Sequence, residues 1–175
     1  GGQYQPLSQS DIEKIHQTSL RIFSEVGVQV NFPEALELFE KAGASIDHST
    51  RIAKFSPGLV MELIQRAPSI VHLCGREDSG ELDCEIGGNK VYMGTGGTAL
   101  NVQDPGEKTA RRSKLEDIKN MARLVDALDN VHFYMLNVYP NDLPVEQVDV
   151  NRFGAALNHT RKHVMGGVYT LEGVR

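Results

Sequence analysis

Apolar residues in the first third of the chain recur at helical spacing, and each run is closed by glycine or proline. Ile12, Ile15, Ser19, Ile22, Phe23 and Val26 share one face of a helix that Ser10-Asp11-Ile12-Glu13 opens as a capping box and Gly27 ends. After a short extended stretch at Val28–Val30, Phe32-Pro33 starts a second helix through Leu36, Leu38 and Phe39 to Gly43. Ile46–Phe55 reads as strand-like with a polar turn at Asp47–Thr50, and Ser56-Pro57 starts a third helix through Val60, Leu63 and Ile64 that Pro68 ends.

Residues 69–104 change texture. Short β-prone segments at Ile70–Cys74, Leu82–Ile86, Val91–Met93 and Ala99–Val102 alternate with glycine-bearing turns, which predicts a layer of hairpins. From Ser113 the spacing is helical again: Ser113-Lys114-Leu115-Glu116 reads as a capping box before Leu115, Ile118, Ala122, Val125 and Leu128. Val131–Tyr139 is a nearly continuous apolar run, the pattern of a strand buried on both faces, and Pro140 closes it. A helix over Val145–Asn158 follows with looser apolar spacing, then an apolar run at His163–Tyr169, then Thr170-Leu171-Glu172-Gly173 as the start of another helix. The order from residue 89 onward, strand and helix in alternation, predicts a parallel α/β arrangement with right-handed crossovers. The expected division is a helical and β-hairpin segment over 1–88 and the first βα units of a barrel over 89–175.

Composition narrows the function classes. With 175 residues, 40% hydrophobic content and 23% charged, the chain is of globular type. A formal net charge of −5 supplies no basic face to neutralise phosphates, so neither nucleic-acid nor membrane-surface binding is expected. No apolar run approaches the roughly 18–20 residues of a membrane helix, and no charged n-region precedes an apolar one, so the cytoplasm is the expected location. Cys74 and Cys84 lie outside any CxxC or zinc-site spacing and read as reduced packing residues.

The candidate chemistry is sparse. Gly94-Thr95-Gly96-Gly97-Thr98-Ala99 satisfies G-x-G-x-x-G/A, but a dinucleotide turn requires a helix to begin at the glycines, whereas Ala99–Val102 reads as extended. Two readings of the glycines stay open: a strand end where backbone approaches closely, or a substrate-facing rim including Gly94 and Gly96. The six histidines show neither HxH nor HExxH spacing, so no metal site is expected, and no catalytic residue can be assigned. Asp104 and Asp142 stand at loop positions that suit either ligand orientation or turn capping. Tyr92, Tyr139 and Tyr169 lie in or just after the three β segments. They fit packing, or an aromatic cage for a quaternary ammonium group, with Tyr92 the leading candidate for contact with the ligand.

Several stretches together resemble the trimethylamine:corrinoid methyltransferase family, which includes a glycine betaine branch without pyrrolysine. They are the helix Ile12–Val26 with its Val26-Gly27-Val28 exit, Val91-Tyr92-Met93-Gly94-Thr95-Gly96-Gly97-Thr98-Ala99 with Asp104, Leu115-Glu116-Asp117-Ile118, Leu124-Val125-Asp126-Ala127-Leu128, Asn130-Val131 and Asn158-His159-Thr160-Arg161-Lys162-His163. The resemblance implies a (β/α)8 TIM barrel behind an N-terminal helical and β-rich segment. It also implies transfer of a methyl group from a methylated amine to the cobalt of a corrinoid (cobalamin) carried by a partner protein. A barrel of this kind needs about 250 residues, so only its first strands and helices are expected here. The chain is then expected to be a fragment inactive alone, an incomplete product, or a homo-oligomer that covers two open sheet edges. A non-catalytic module that contacts a corrinoid protein or sister subunit is the alternative. An α/β enzyme binding phosphate at Gly94–Gly97 is a third reading, and it requires a helix to start at Thr98.

Overall fold

The computed structural model describes residues 6–171 and residue 173. They divide into two compact units, one ending at Ser69 and one beginning at Ile70. Helices and strands are mixed, and no closed barrel is present among the described residues.

In the first unit, helix α1 (Gln9–Arg21) is capped by Ser8 rather than Ser10. The Ser8 hydroxyl accepts from the Asp11 amide at 3.2 Å while the Asp11 carboxylate accepts from the Ser8 amide at 3.1 Å. This reciprocal pair satisfies two end groups and so starts the helix two residues earlier than the sequence pattern indicated. A π-helical turn at Ile22–Val26 leads to Gly27, after which β1 (Val28–Gln29) begins. Proline at the first turn opens both α2 (Pro33–Lys41) and α3 (Pro57–Gln65), as expected from its fixed φ. β2 (Ser45–Asp47) and β3 (Ile52–Lys54) flank the polar turn, and the antiparallel order is β1-β3-β2. Phe55 stands edge-on to both Phe23 and Phe39, with centroids 6.0 and 5.2 Å away. The fully or nearly buried apolar side chains here are few: Leu20, Leu36, Ala44 and Ala53.

The second unit starts with antiparallel pairs, β4 (Val71–Leu73) with β5 (Cys84–Ile86) and β6 (Asn101–Val102) with β7 (Arg111–Arg112). Helix α4 (Leu115–Ala127), strand β8 (Phe133–Met135), helix α5 (Val145–Leu157) and strand β9 (His163–Met165) follow. β8 and β9 are parallel, and Gly94 and Ala99 bridge in parallel to Phe133 and Val138 on the other side of β8. Val91–Met93 forms no strand. The Met93 amide instead donates to the His132 ring at 3.0 Å, so a side chain stands where a ladder bond was expected. The extended backbone at 101–102 removes the phosphate reading, which needed a helix from Thr98.

The core of this unit packs Ile118, Ala122 and Val125 of α4 and Ala155 and Ala156 of α5 against Tyr134, Leu136 and Val138. Only one face of the 131–139 run is therefore fully buried; Phe133, Met135, Asn137 and Tyr139 are half-buried on the other. Burial pushes the Tyr134 phenol up to about 12, and it donates to Asn137 Oδ1 at 3.1 Å. Ser113 does not cap α4. Its hydroxyl donates to the Tyr139 carbonyl at 2.6 Å, tying the helix entry to the strand end, and the α4 start is served by Asp117 on the Lys114 amide and Asp142 on the Leu115 amide. Asp142 is thus a cap, while Asp104 pairs with Arg111, so both loop carboxylates have structural roles.

Arg111 forks across two carboxylates, meeting Asp104 at 2.6 and 2.9 Å and Asp117 at 2.7 and 2.9 Å. The guanidinium, opposed by burial and helped by the Lys114 amide, holds the Asp117 carboxyl below the usual carboxylate range. A depressed folded pKa contributes stability that is complete above the unfolded value near 3.9 and is lost as pH falls through the folded value. Thermal unfolding measured from pH 6 down to pH 2 is expected to show a steeper acid loss for the native chain than for Asp117→Asn. Parallel curves for the two proteins would refute this role.

Candidate functional site

The carboxyl ends of three parallel segments converge in the second unit. The outer one is bonded to β8 at its two ends: His132 donates to the Met93 carbonyl at 2.7 Å, Ala99 donates to Asn137 at 2.8 Å, and Tyr139 donates to Ala99 at 2.9 Å. Between those ends the Thr95 hydroxyl donates to the Met135 carbonyl at 2.6 Å. On the other side of β8, Leu136 donates to the Met165 carbonyl at 2.8 Å. A cleft of about 310 Å³ lies across these ends, lined by Gly97, Thr98, Met135, Leu136, Met165, Gly166 and Gly167. Met135 and Met165 are register partners, so two thioethers stand side by side on its wall. Such a lining is apolar and polarisable, with hydroxyl and backbone groups at one edge and no acid–base pair.

The predicted residues distribute unevenly about this cleft. Gly94 sits at the start of the outer segment, where a Cβ would overlap the Phe133 ring, so close approach of an aromatic face accounts for that glycine. Gly96 lies in the stretch between the two bridges and has open space around it. Tyr139 and Tyr169 come together, ring centroids 5.2 Å apart at 82°. Tyr92 does not join them. It stands edge-on to His132 at 5.2 Å, and its hydroxyl accepts from the Glu85 amide at 3.3 Å. His132 and Tyr139 lie at opposite ends of one strand, seven residues or about 23 Å of extended backbone apart. Tyr92 and the Tyr139–Tyr169 pair therefore stand toward different ends of that strand.

Behind the Tyr139–Tyr169 pair lies a buried ionic group that the sequence reading missed. Arg152 and Asp149 of α5 are 1% and 2% exposed at their side chains, and the guanidinium carbon stands 4.7 Å from the centre of the Tyr169 ring. Asp149 Oδ2 accepts from the Tyr169 and Thr170 amides at 2.9 and 3.2 Å. Arg152 donates to the carbonyls of Gly167 and Leu136, both at 3.4 Å. The signal was present in the loose spacing of this helix: two of its core-facing positions carry charges, so its apolar periodicity is broken. Among the described residues no three His, Cys, Asp or Glu side chains gather as a metal site would require. No described helix is long and apolar enough to cross a membrane.

The profile of the family described as trimethylamine methyltransferase (MTTB) matches residues 2–175. The chain belongs to that family. A trimethylamine methyltransferase MttB of Desulfitobacterium hafniense is 32% identical over 162 residues, covering 93% of this chain and 32% of the relative. The trimethylamine methyltransferase MttB of Methanosarcina thermophila is 30% identical over 161 residues, covering 90% of this chain and 33% of its own length. A glycine betaine methyltransferase of Desulfitobacterium hafniense strain Y51 is 26% identical over 165 residues, covering 93% of this chain and 33% of the relative. This member of the trimethylamine methyltransferase family therefore spans about a third of the length of those relatives.

Proposed function

We propose that residues 94–170 form the opening strands of a (β/α)8 barrel in a methyltransferase, and that their cleft receives the methylammonium group of a methylated amine such as trimethylamine or glycine betaine. The observation that carries this reading is the cleft's position at the carboxyl ends of parallel strand segments, with the edge-to-face pair Tyr139 and Tyr169 following two of those segments. Barrel enzymes place their chemistry at that end of the strands. A quaternary or protonated tertiary amine offers a diffuse cation with apolar methyl groups, which suits aromatic faces and thioether walls.

In this reaction the corrinoid of a partner protein supplies the nucleophile that accepts the methyl group. The N–C bond breaks with its electron pair left on nitrogen, so a quaternary substrate departs as a neutral tertiary amine and trimethylammonium as neutral dimethylamine, which then takes up a proton from solvent. The residues of this chain bind and orient. Tyr139 faces the cation, Met135 and Met165 exclude water around the methyl groups, and the backbone at Gly96–Thr98 allows close approach. Holding a substrate in attack geometry in a dry site is a sufficient contribution where the cofactor carries the bond chemistry. The gene product in its native length, assayed for methyl transfer to its corrinoid protein, tests this. Tyr139→Ala is expected to raise KM for the amine by about tenfold, the value of one desolvated cation–π contact. Tyr92→Ala, at the far end of β8, serves as the control and should leave KM unchanged; the reverse pattern would refute the placement.

A further inference from the structure

The pair Asp149–Arg152 lies at the centre of α5, where apolar residues would normally pack, and everything it binds belongs to the carboxyl end of β9 or β8. Asp149 holds the amides of Tyr169 and Thr170, and Arg152 holds the carbonyls of Gly167 and Leu136 while its guanidinium lies over the Tyr169 ring. A helix face usually seals a strand with methyl groups; this one grips the loop after it by its backbone. Gly166, Gly167 and Tyr169 belong to that loop, and the first two line the cleft.

We propose that the buried Asp149–Arg152 pair is a positioning device for the substrate rim, fixing Tyr169 as a brace so that Tyr139 is the ring that meets the methylammonium. The inference rests on the methyl-transfer reading above. The electrostatics support the division of labour. A ring that already carries a guanidinium 4.7 Å from its centre is a poor partner for a second cation, because the two charges repel across it. Tyr139 stands against Tyr169 at 82°, so the orientation of the contacting ring depends on the braced one. Removing either charge alone would also leave the other buried without its counterion.

The test uses Asp149→Ala in the gene product at its native length, with two readouts. Hydrogen exchange is expected to speed at the Tyr169 and Thr170 amides by at least about tenfold, with the Leu136 amide, which is bonded to Met165, unchanged. Steady-state methyl transfer is expected to show KM raised about tenfold with kcat within about twofold, the pattern of lost binding rather than lost chemistry. Faster exchange with unaltered KM would make the pair purely structural and overturn the proposal, as would unaltered exchange. Should Asp149→Ala fail to fold, Tyr169→Leu keeps both charges and removes only the ring between Arg152 and Tyr139; it is expected to raise KM several-fold, and an unchanged KM overturns the brace. An unmutated protein that turns over no methylated amine would instead refute the methyl-transfer reading and this inference with it.

Discussion

Replacing Lys162 with methionine is expected to lower the unfolding free energy by about 3 kcal/mol, the cost of removing a nearly buried charged donor that serves three carbonyls. The ammonium group is the terminus of helix α4 in chemical terms. Its side chain is only 5% exposed, and Nζ donates to the carbonyls of Val125, Leu128 and Val131 at 2.7, 2.6 and 2.7 Å. Helix ends leave carbonyls without intrahelical partners, and a cation is favoured there by the helix dipole. Methionine matches the length and apolar stem of lysine, so the variant removes the donor while keeping the packing. Urea unfolding followed by circular dichroism measures the change. A loss below about 1 kcal/mol would show that water reaches the three carbonyls and replaces the ammonium.

Gly27→Ala is expected to be comparably severe, at about 3 kcal/mol or more from combined backbone strain and overpacking. The residue has φ +84°, and a Cβ would stand 2.6 Å from the Ala53 carbonyl oxygen and 2.7 Å from Ile52 Cγ2. The obstruction is partly backbone of β3, which pairs with β1 immediately after Gly27, so the clash can be relieved only by opening that pair. The first unit buries few large side chains and has little reserve against such a loss. Hydrogen exchange at Phe55, whose amide bonds to the Phe23 carbonyl, reads the effect directly. Native protection there in the Gly27→Ala protein would contradict the argument.

Local signals made the helices of this chain legible. Pro33 and Pro57 fix their helix starts, and the Asp47–Thr50 turn lies between β2 and β3 as its polarity indicated. What was illegible depends on partners distant in sequence. Ser113 has the composition of a cap, but the Tyr139 carbonyl 26 residues later claims its hydroxyl and moves the cap to the next position. Nothing local in the sequence marks Lys162 as buried, because its carbonyl partners lie 31 to 37 residues earlier. Likewise, Tyr92, Tyr139 and Tyr169 all fall at β segments, but proximity to a strand does not say which end. Tyr92 precedes the bridge at Gly94, whereas Tyr139 follows the bridge at Val138. Asp149 and Arg152 were hidden for a related reason, since charged residues in a helix are read as its solvent face unless a buried counterpart is visible.

The two-point attachment of residues 94–99 to β8 has a consequence for how this family can change. Because the ladder is secured at Gly94 and at Ala99, and a hydroxyl substitutes for it in between, the glycines at 96 and 97 bear no part of the core's packing. A side chain at Gly97, which lines the cleft at φ +79°, would strain that turn but leave Ile118, Tyr134 and Val138 their contacts on the opposite side of the strand. The cleft and the helix-packed core thereby lie on different faces of one sheet, so the lining of one can vary without rebuilding the other.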